Sequence, residues 1–377
     1  MHQTAISLSL PDQADIVRHR LQNQHLVGQR IRDTAEMVAH LGAVQSQDYP
    51  ASLWALALRV KDATLASLLS AFNRGDILRT HVLRPTWHLV VPEDLRWMLA
   101  LTAPRIRRAM ATRERDLGID SSLACRSTEA IARALEGGRS LTRSELGVAL
   151  TEAGIEWHAD GSLLSHLLSI AELDAVICSG PLDGTRHTYA LLDERAAPGP
   201  SLRRDEAVAE LVCRYFTSHG PATLNDFAWW SGLTVTDARQ GLAASRARFT
   251  SRQLGELTYW FDPEDVADSA SCPTMLLLPN FDEFTVAYRS RELFYPREIV
   301  YRPGPRYDAP FGNLIVVDGI AIGIWKRSLN RGQVKIQPEW FNPPTRKQTA
   351  AFEESLVQHA TFMKKWSDLA GHRPGAA

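Results

Sequence analysis

The chain has 377 residues, 45% of them hydrophobic and 23% charged, with a formal net charge of −1. That length predicts roughly two to four domains rather than one core. The composition excludes a disordered chain, and the near-zero charge confines any nucleic-acid surface to local basic clusters. No stretch reaches the ~18 consecutive apolar residues of a membrane span, and residues 1–11 lack the basic and apolar regions of a signal peptide. Cys125, Cys178, Cys213 and Cys272 stand far apart with no C-x-x-C spacing, so no disulfide framework and no zinc site is expected. The expectation is a cytoplasmic, monomeric protein with single buried thiols.

The first segment predicts helices over 11–22, 34–41, 51–60 and 64–72. Strands over 77–83 and 86–91 follow, on either side of Arg84-Pro85, and Pro92 opens a further helix. In the second strand Trp87, Leu89 and Val91 share one face, read as core. Thr86, His88 and Val90 share the other, which sets Thr86 beside His88 and away from that core. Between the second and third helices runs His40-Leu41-Gly42-Ala43-Val44-Gln45-Ser46-Gln47-Asp48-Tyr49-Pro50. Residues i and i+2 of an extended chain point to the same side, so the amides of Gln45 and Gln47 can converge on one small object. A side-chain amide is a poor nucleophile and a poor base, but it offers one acceptor and two donors. It suits the clamping of a water molecule or a base edge. The plainer reading, that both glutamines bind backbone or cap the next helix, stays open, because most side-chain hydrogen bonds go to backbone or water. Asp48, two residues before Pro50, is read as the cap of the third helix in preference to a negative charge near a site.

Arg105, Arg107, Arg108, Arg113 and Arg115 form a basic run after this segment, either a phosphate-binding surface or a solvated helix face. A clearer repeat follows. A helix over 127–136 is stopped by Gly137-Gly138, and Thr142-Arg143-Ser144-Glu145 is a capping box. The next helix ends at Gly154, a third spans 162–173, and strands over 175–178 and 187–191 flank a Gly/Pro/Asp turn. Three helices and a hairpin form the winged-helix layout, a variant of helix-turn-helix. A further copy predicts helices over 205–218, 224–230 (capped by Thr223) and 236–244, with strands over 248–250 and 257–261. Of Trp229 and Trp230, one is assigned to core.

After about residue 270 the period changes to two. The run at 275–278 is a fully apolar strand. Strands over 314–317 and 320–325 flank Asp318-Gly319, a type I′ hairpin signal, and another strand covers 333–336. A helix over 345–369 and a frayed tail over 371–377 end the chain. Lys326, Arg327, Arg331 and Lys335 cluster on this part. The fold class expected is α+β, with tandem winged-helix (helix-turn-helix) modules over 1–118, 119–200 and 201–268. A small β-barrel-like domain over 269–345 and a C-terminal helix and tail over 346–377 complete it.

Five motifs together are specific: Val44-Gln45-Ser46-Gln47-Asp48, Arg79-Thr80-His81-Val82-Leu83-Arg84-Pro85-Thr86-Trp87-His88, Asp226-Phe227-Ala228-Trp229-Trp230-Ser231-Gly232, Leu278-Pro279-Asn280-Phe281-Asp282-Glu283-Phe284 with Tyr288-Arg289, and Val317-Asp318-Gly319. With them the chain resembles, over nearly its whole length, the bacterial winged-helix DNA glycosylases of the AlkZ/YcaQ type. The resemblance implies that Gln45 and Gln47 are the catalytic pair; Ser46 departs from the apolar residue usual between them. It implies excision of N-alkylated purines (N7-alkylguanine, N3-alkyladenine) from double-stranded DNA, leaving an abasic site, without metal or cofactor. In some members it implies unhooking of interstrand crosslinks.

The residue types suit that chemistry. A purine alkylated at a ring nitrogen is cationic and leaves without a strong acid, through an oxocarbenium-like transition state. What remains is to position water, an orientation task. Asp48, His81, Arg84, Thr86, His88, Arg289, Lys326 and Arg327 are the candidates for the site wall and DNA contacts. His81 and His88 lack a third ligand for a metal and are read either as satisfied histidines or as site wall. Arg84 is read as a phosphate holder or a surface ion pair. Asp282-Glu283 is read as structural, bonding Arg289 or backbone. The alternative function is a non-catalytic winged-helix DNA-binding protein or transcription regulator, which the absence of an obvious ligand domain disfavours.

Overall fold

The computed structural model describes residues 13–157, 161–245, 247–263, 275–296, 312–330 and 333–371. Cys272, Arg331, the start of the first helix and the tail after Gly371 therefore lie outside the described residues. The chain opens with α1 (Gln13–Asn23), α2 (Thr34–Leu41), β1 (Val44–Gln45), α3 (Tyr49–Ala57), α4 (Leu65–Arg74), β2 (Leu78–His81), β3 (Trp87–Val90) and α5 (Pro92–Asp116). It continues with α6 (Ser121–Leu135), β4 (Leu141–Thr142), α7 (Arg143–Glu152), α8 (Ser162–Leu173), β5 (Ile177–Ser179), β6 (Thr188–Leu191) and α9 (Leu192–Arg195). Next come α10 (Arg204–His219), α11 (Leu224–Ser231), α12 (Val235–Ala244), β7 (Thr250–Leu254) and β8 (Leu257–Phe261). The last part holds β9 (Met275–Leu278), α13 (Glu283–Val286), β10 (Leu314–Val317), β11 (Ile320–Asn330), β12 (Gln333–Trp340) and α14 (Arg346–Gly371).

Capping chemistry sets many of the starts. The Thr142–Glu145 box is formed as expected, and Thr223–Asp226 and Thr234–Asp237 repeat it at α11 and α12. Each such cap contributes about 1 kcal/mol. The helix expected over 127–136 starts six residues earlier, at Ser121, because Asp120 accepts the Leu123 N–H at 2.7 Å. Among the described residues, no helix is long and apolar enough to cross a membrane. Cys125 is exposed, not buried, and its thiol donates to Glu129.

One large core joins α1–α5 to α10–α12 and to one face of the last sheet; Phe72, Tyr215, Trp230 and Phe284 are buried in it. Trp230 is thus the core tryptophan of its pair, and Trp229 is partly exposed. A second, smaller core fills the space among α6, α7 and α8.

The last sheet is not barrel-like. Among the described residues it is open and antiparallel, with order β12-β11-β10-β9. Four strands are too few to enclose a packed interior. Its strands β9 and β10 are buried on both faces instead. Leu276, Leu278, Leu314 and Val316 face the large core, while Leu277, Ile315 and Trp325 pack with Phe352 of α14. Burial on two sides explains the unbroken apolar run at 275–278. The β10–β11 turn has Asp318 at φ 50° and Gly319 at φ 81°, both positive as a type I′ turn requires. A Cβ on Gly319 would stand 2.0 Å from Val17 of α1.

A buried ion pair ties this segment to the helices. Arg59 meets Asp282 through both terminal nitrogens, at 2.8 and 2.7 Å, and also donates to Ala55 O and Gln24 Oε1. Asp282 in turn caps α13 through the Phe284 N–H. Arg59→Met leaves that carboxylate buried without its cation, and the expected loss is about 3–5 kcal/mol of unfolding free energy. Urea denaturation checks this; a loss below about 1 kcal/mol, the range of a surface pair, would refute a bracing role.

Candidate active site

The strand carrying Gln45 is short because the cap of α3 follows it within three residues. The Gln45 N–H donates to the Glu283 carboxylate at 2.7 Å, and the Ser46 N–H donates to Trp87 O at 2.7 Å. Asp48 then starts α3 by accepting the Ala51 N–H at 3.2 Å. The backbone therefore turns out of the sheet after Gln45, and the period-two argument stops applying before Gln47. Gln45 is 5% exposed, and its side-chain oxygen accepts the Gln47 N–H at 3.1 Å. Gln47 is exposed. The two glutamines form a hook, one amide inside and one outside, rather than two parallel prongs. Ser46 is fully buried, and its hydroxyl meets that of Ser52 at 2.9 Å, which in turn donates to Tyr49 O. A polar residue fits at this position because α3 supplies its partner.

β1 is the edge of a three-stranded sheet of order β1-β3-β2, and Gln45, His88 and Thr80 are paired across it. Directly opposed residues share a face, so these three side chains form one row. The expectation that Thr86 and His88 face away from core fails for His88, which is 0% exposed, as is Val90. This sheet, too, is covered on both sides. His88 Nδ1 lies 3.0 Å from Thr86 O; His88 Nε2, Thr80 Oγ1, Thr86 Oγ1 and Arg84 Nε find no partner among the described residues. Buried atoms of this kind normally meet ordered water or a polar ligand edge. Burial, with Arg84 adding to it, pushes the His88 ring down to about 3, so it is neutral at physiological pH. Burial also lowers the Arg84 guanidinium, opposed by the Glu283 charge.

At the start of α3 lies a cavity of about 250 Å³, lined by Asp48, Trp54, Asn280, Trp325, Arg327 and His359 among others. Asn280 donates to Asp48 at 3.2 Å. Of the residues assigned from sequence, Gln45, His88, Thr86 and Arg84 are gathered around the sheet row, and Asp48 and Arg327 around this cavity, while Gln47 is exposed and does not line it. Three are placed elsewhere. His81 turns toward α8, where its Nδ1 contacts the Glu172 carboxylate, and it packs on Trp87 with ring centroids 4.4 Å apart. Arg289 borders a separate concavity with Arg20, Asp226 and Tyr259. Lys326 pairs with Glu339 at 3.2 Å on the exposed face of β11. In the basic run Arg105 and Arg107 are tied to Gly232 O and Asp174, whereas Arg108, Arg113 and Arg115 are exposed.

The residue most underestimated from sequence is Glu283. Its carboxylate bonds a backbone N–H, as one reading has it, but that N–H belongs to Gln45, and the Asp282 partner is Arg59 rather than Arg289. Glu283 stands 238 residues from Gln45 in the chain, so no local pattern signals the contact.

The sequence profile of the DNA glycosylase AlkZ-like family matches residues 38–362. An interstrand DNA cross-link repair glycosylase of Streptomyces sahachiroi is 25% identical over 325 residues, covering 81% of this chain and 85% of that one. The solved structure of the Streptomyces sahachiroi DNA glycosylase AlkZ superposes with a TM-score of 0.72 at 21% identity, covering 94% of this chain and 96% of that chain. With most of its length inside the family profile and the Gln-Ser-Gln hook inside the matched span, the chain belongs to the AlkZ-like DNA glycosylases and is an enzyme of that class.

Proposed function

We propose that this glycosylase hydrolyses the N-glycosidic bond of N-alkylated purines, N7-alkylguanine and N3-alkyladenine, in double-stranded DNA and leaves an abasic site. The three helix-and-strand segments act as winged-helix modules that hold the duplex. The exposed Gln47 amide at the tip of a buried hook is the observation that carries this reading. It orients a water molecule at C1′ of a nucleotide whose base is already a good leaving group. Gln45 holds Gln47 from behind. Asp48, Asn280 and Arg327 line the cavity at the start of α3, where the damaged nucleotide is received. Exposed Arg108, Arg113 and Arg115 offer phosphate contacts, which make affinity salt-dependent.

The test is an oligonucleotide duplex with a single N7-methylguanine, treated with enzyme and then with hot alkali. Strand scission at the lesion supports the reading; intact strands with retained binding refute it for simple methyl adducts. The Streptomyces relative is named for interstrand cross-link repair, and the proposal extends to that substrate. A duplex joined through two N7-alkylguanines is then expected to separate under denaturing electrophoresis after incubation with enzyme.

A further inference from the structure

Glu283 is 1% exposed and collects donors from two distant parts of the chain. One carboxylate oxygen accepts the Gln45 N–H at 2.7 Å; the other accepts the Trp230 indole N–H at 3.0 Å and lies 3.6 Å from His219 Nε2. The side chain has no freedom to choose other partners. Its own backbone is fixed one residue earlier, where Asp282 caps α13 and is gripped by Arg59. On the far side of Gln45, the Gln45 amide oxygen fixes the Gln47 N–H. An unbroken chain of contacts thus runs from the buried Arg59–Asp282 pair through Glu283 and Gln45 to the backbone N–H of Gln47, whose side chain is exposed.

We infer that Glu283 is a positioning residue of the glycosylase reaction: it sets the hook by holding the Gln45 backbone, and thereby fixes where Gln47 presents its amide. This rests on the role proposed above for Gln47. Burial alone would raise a carboxylic acid, but the His219 contact and the Gln45 N–H outweigh it and hold the Glu283 carboxyl below its usual range. An ionised group accepts on both oxygens and gives shorter, stronger bonds than a neutral one. The substitution Glu283→Gln keeps one acceptor for Gln45 but turns an NH2 toward the Trp230 indole N–H and toward His219. Alanine removes both acceptors and frees β1 to shift.

The experiment compares wild type, Glu283→Gln and Glu283→Ala in full-length protein. Single-turnover excision of N7-methylguanine is read beside duplex affinity, thermal midpoint and the amide signals of ¹⁵N-glutamine-labelled enzyme. Glu283→Ala is expected to lower the rate about 100-fold, the scale of a ~1 Å misplacement of a catalytic group. Glu283→Gln, which preserves size and one acceptor, restores most of that loss. Duplex affinity stays within about threefold in both, since no base or phosphate contact is removed. The Gln45 and Gln47 backbone amide signals both shift. A rate for Glu283→Ala within about threefold of wild type overturns the inference, and so does a rate loss that Glu283→Gln does not reduce. Should Glu283→Ala fail to fold, Glu283→Leu, which fills the space but offers no acceptor to the Gln45 N–H, decides: an unmoved Gln47 backbone amide signal overturns the inference, and a moved one with a rate loss supports it. A wild-type enzyme inactive on every alkylated duplex would sink the functional reading instead, and the Gln47 amide signal would still show whether Glu283 sets the hook.

Discussion

Gln47→Ala is expected to lower single-turnover excision of N7-methylguanine by about 10²- to 10³-fold, the usual cost of removing one preorganised polar group from an active site. Affinity for the lesion duplex should change little, because phosphate contacts generally dominate duplex binding and Gln47 is a single uncharged amide. The same truncation at Gln45 is expected to behave differently. Gln45 is buried, and its oxygen accepts the Gln47 N–H, so Gln45→Ala leaves that donor unmatched and opens a void behind the loop. It should lower both rate and stability, by about 1–3 kcal/mol in unfolding free energy for the unpaired group. The pair of variants therefore separates an outside role from an inside one. Rate and midpoint measured together check it. Full activity in Gln47→Ala would remove Gln47 from the mechanism, and identical signatures for the two variants would refute the hook.

Much of the architecture is legible in the sequence because it is local. α2 and α8 match their predicted spans, and the Thr142–Glu145 box and the Asp318-Gly319 turn are formed as read. Each depends on contacts within a few residues. The expectations that fail do so where tertiary packing overrides period. The apolar alternation at 314–325 suggests a curled, barrel-like sheet, yet α14 covers one face and the large core the other. Alternation assigns His88 to the outward face of its strand, but that face is also covered. Gln45 and Gln47 are legible as residues and not as geometry: Asp48 begins α3 so soon after β1 that the strand cannot run through both. Glu283 is visible only as an acidic residue in a loop, since its partners Gln45, Trp230 and His219 come from elsewhere in the chain.

The second large effect is discrimination by charge. A duplex bearing uracil is expected to be cut at least about 10³-fold more slowly than one bearing N7-methylguanine, because a neutral base needs the general acid that contributes about 10²–10⁴-fold in enzymes that have one. The ring nearest the hook cannot serve as that acid. His88 is held down to about 3 by burial, so its neutral form dominates throughout the neutral range and it carries no acidic imidazolium proton to give. Glu283 is shifted the other way from what an acid needs: a carboxyl held below its usual range is ionised at every pH above it. Its support of the hook is present at neutral pH and is lost only as pH falls through its lowered pKa, below the ordinary carboxylate value of about 4. The rate on N7-methylguanine should accordingly be flat from about pH 6 to about pH 8.5, with no acid limb and no base limb from these groups. A pH series of single-turnover rates on the two duplexes tests both halves. A rate that climbs as pH falls through about 6.5, the ordinary histidine range, would mean that a protonated imidazole assists departure of the base. Uracil excision would then follow the same limb, and water positioning by amides would no longer account for the chemistry.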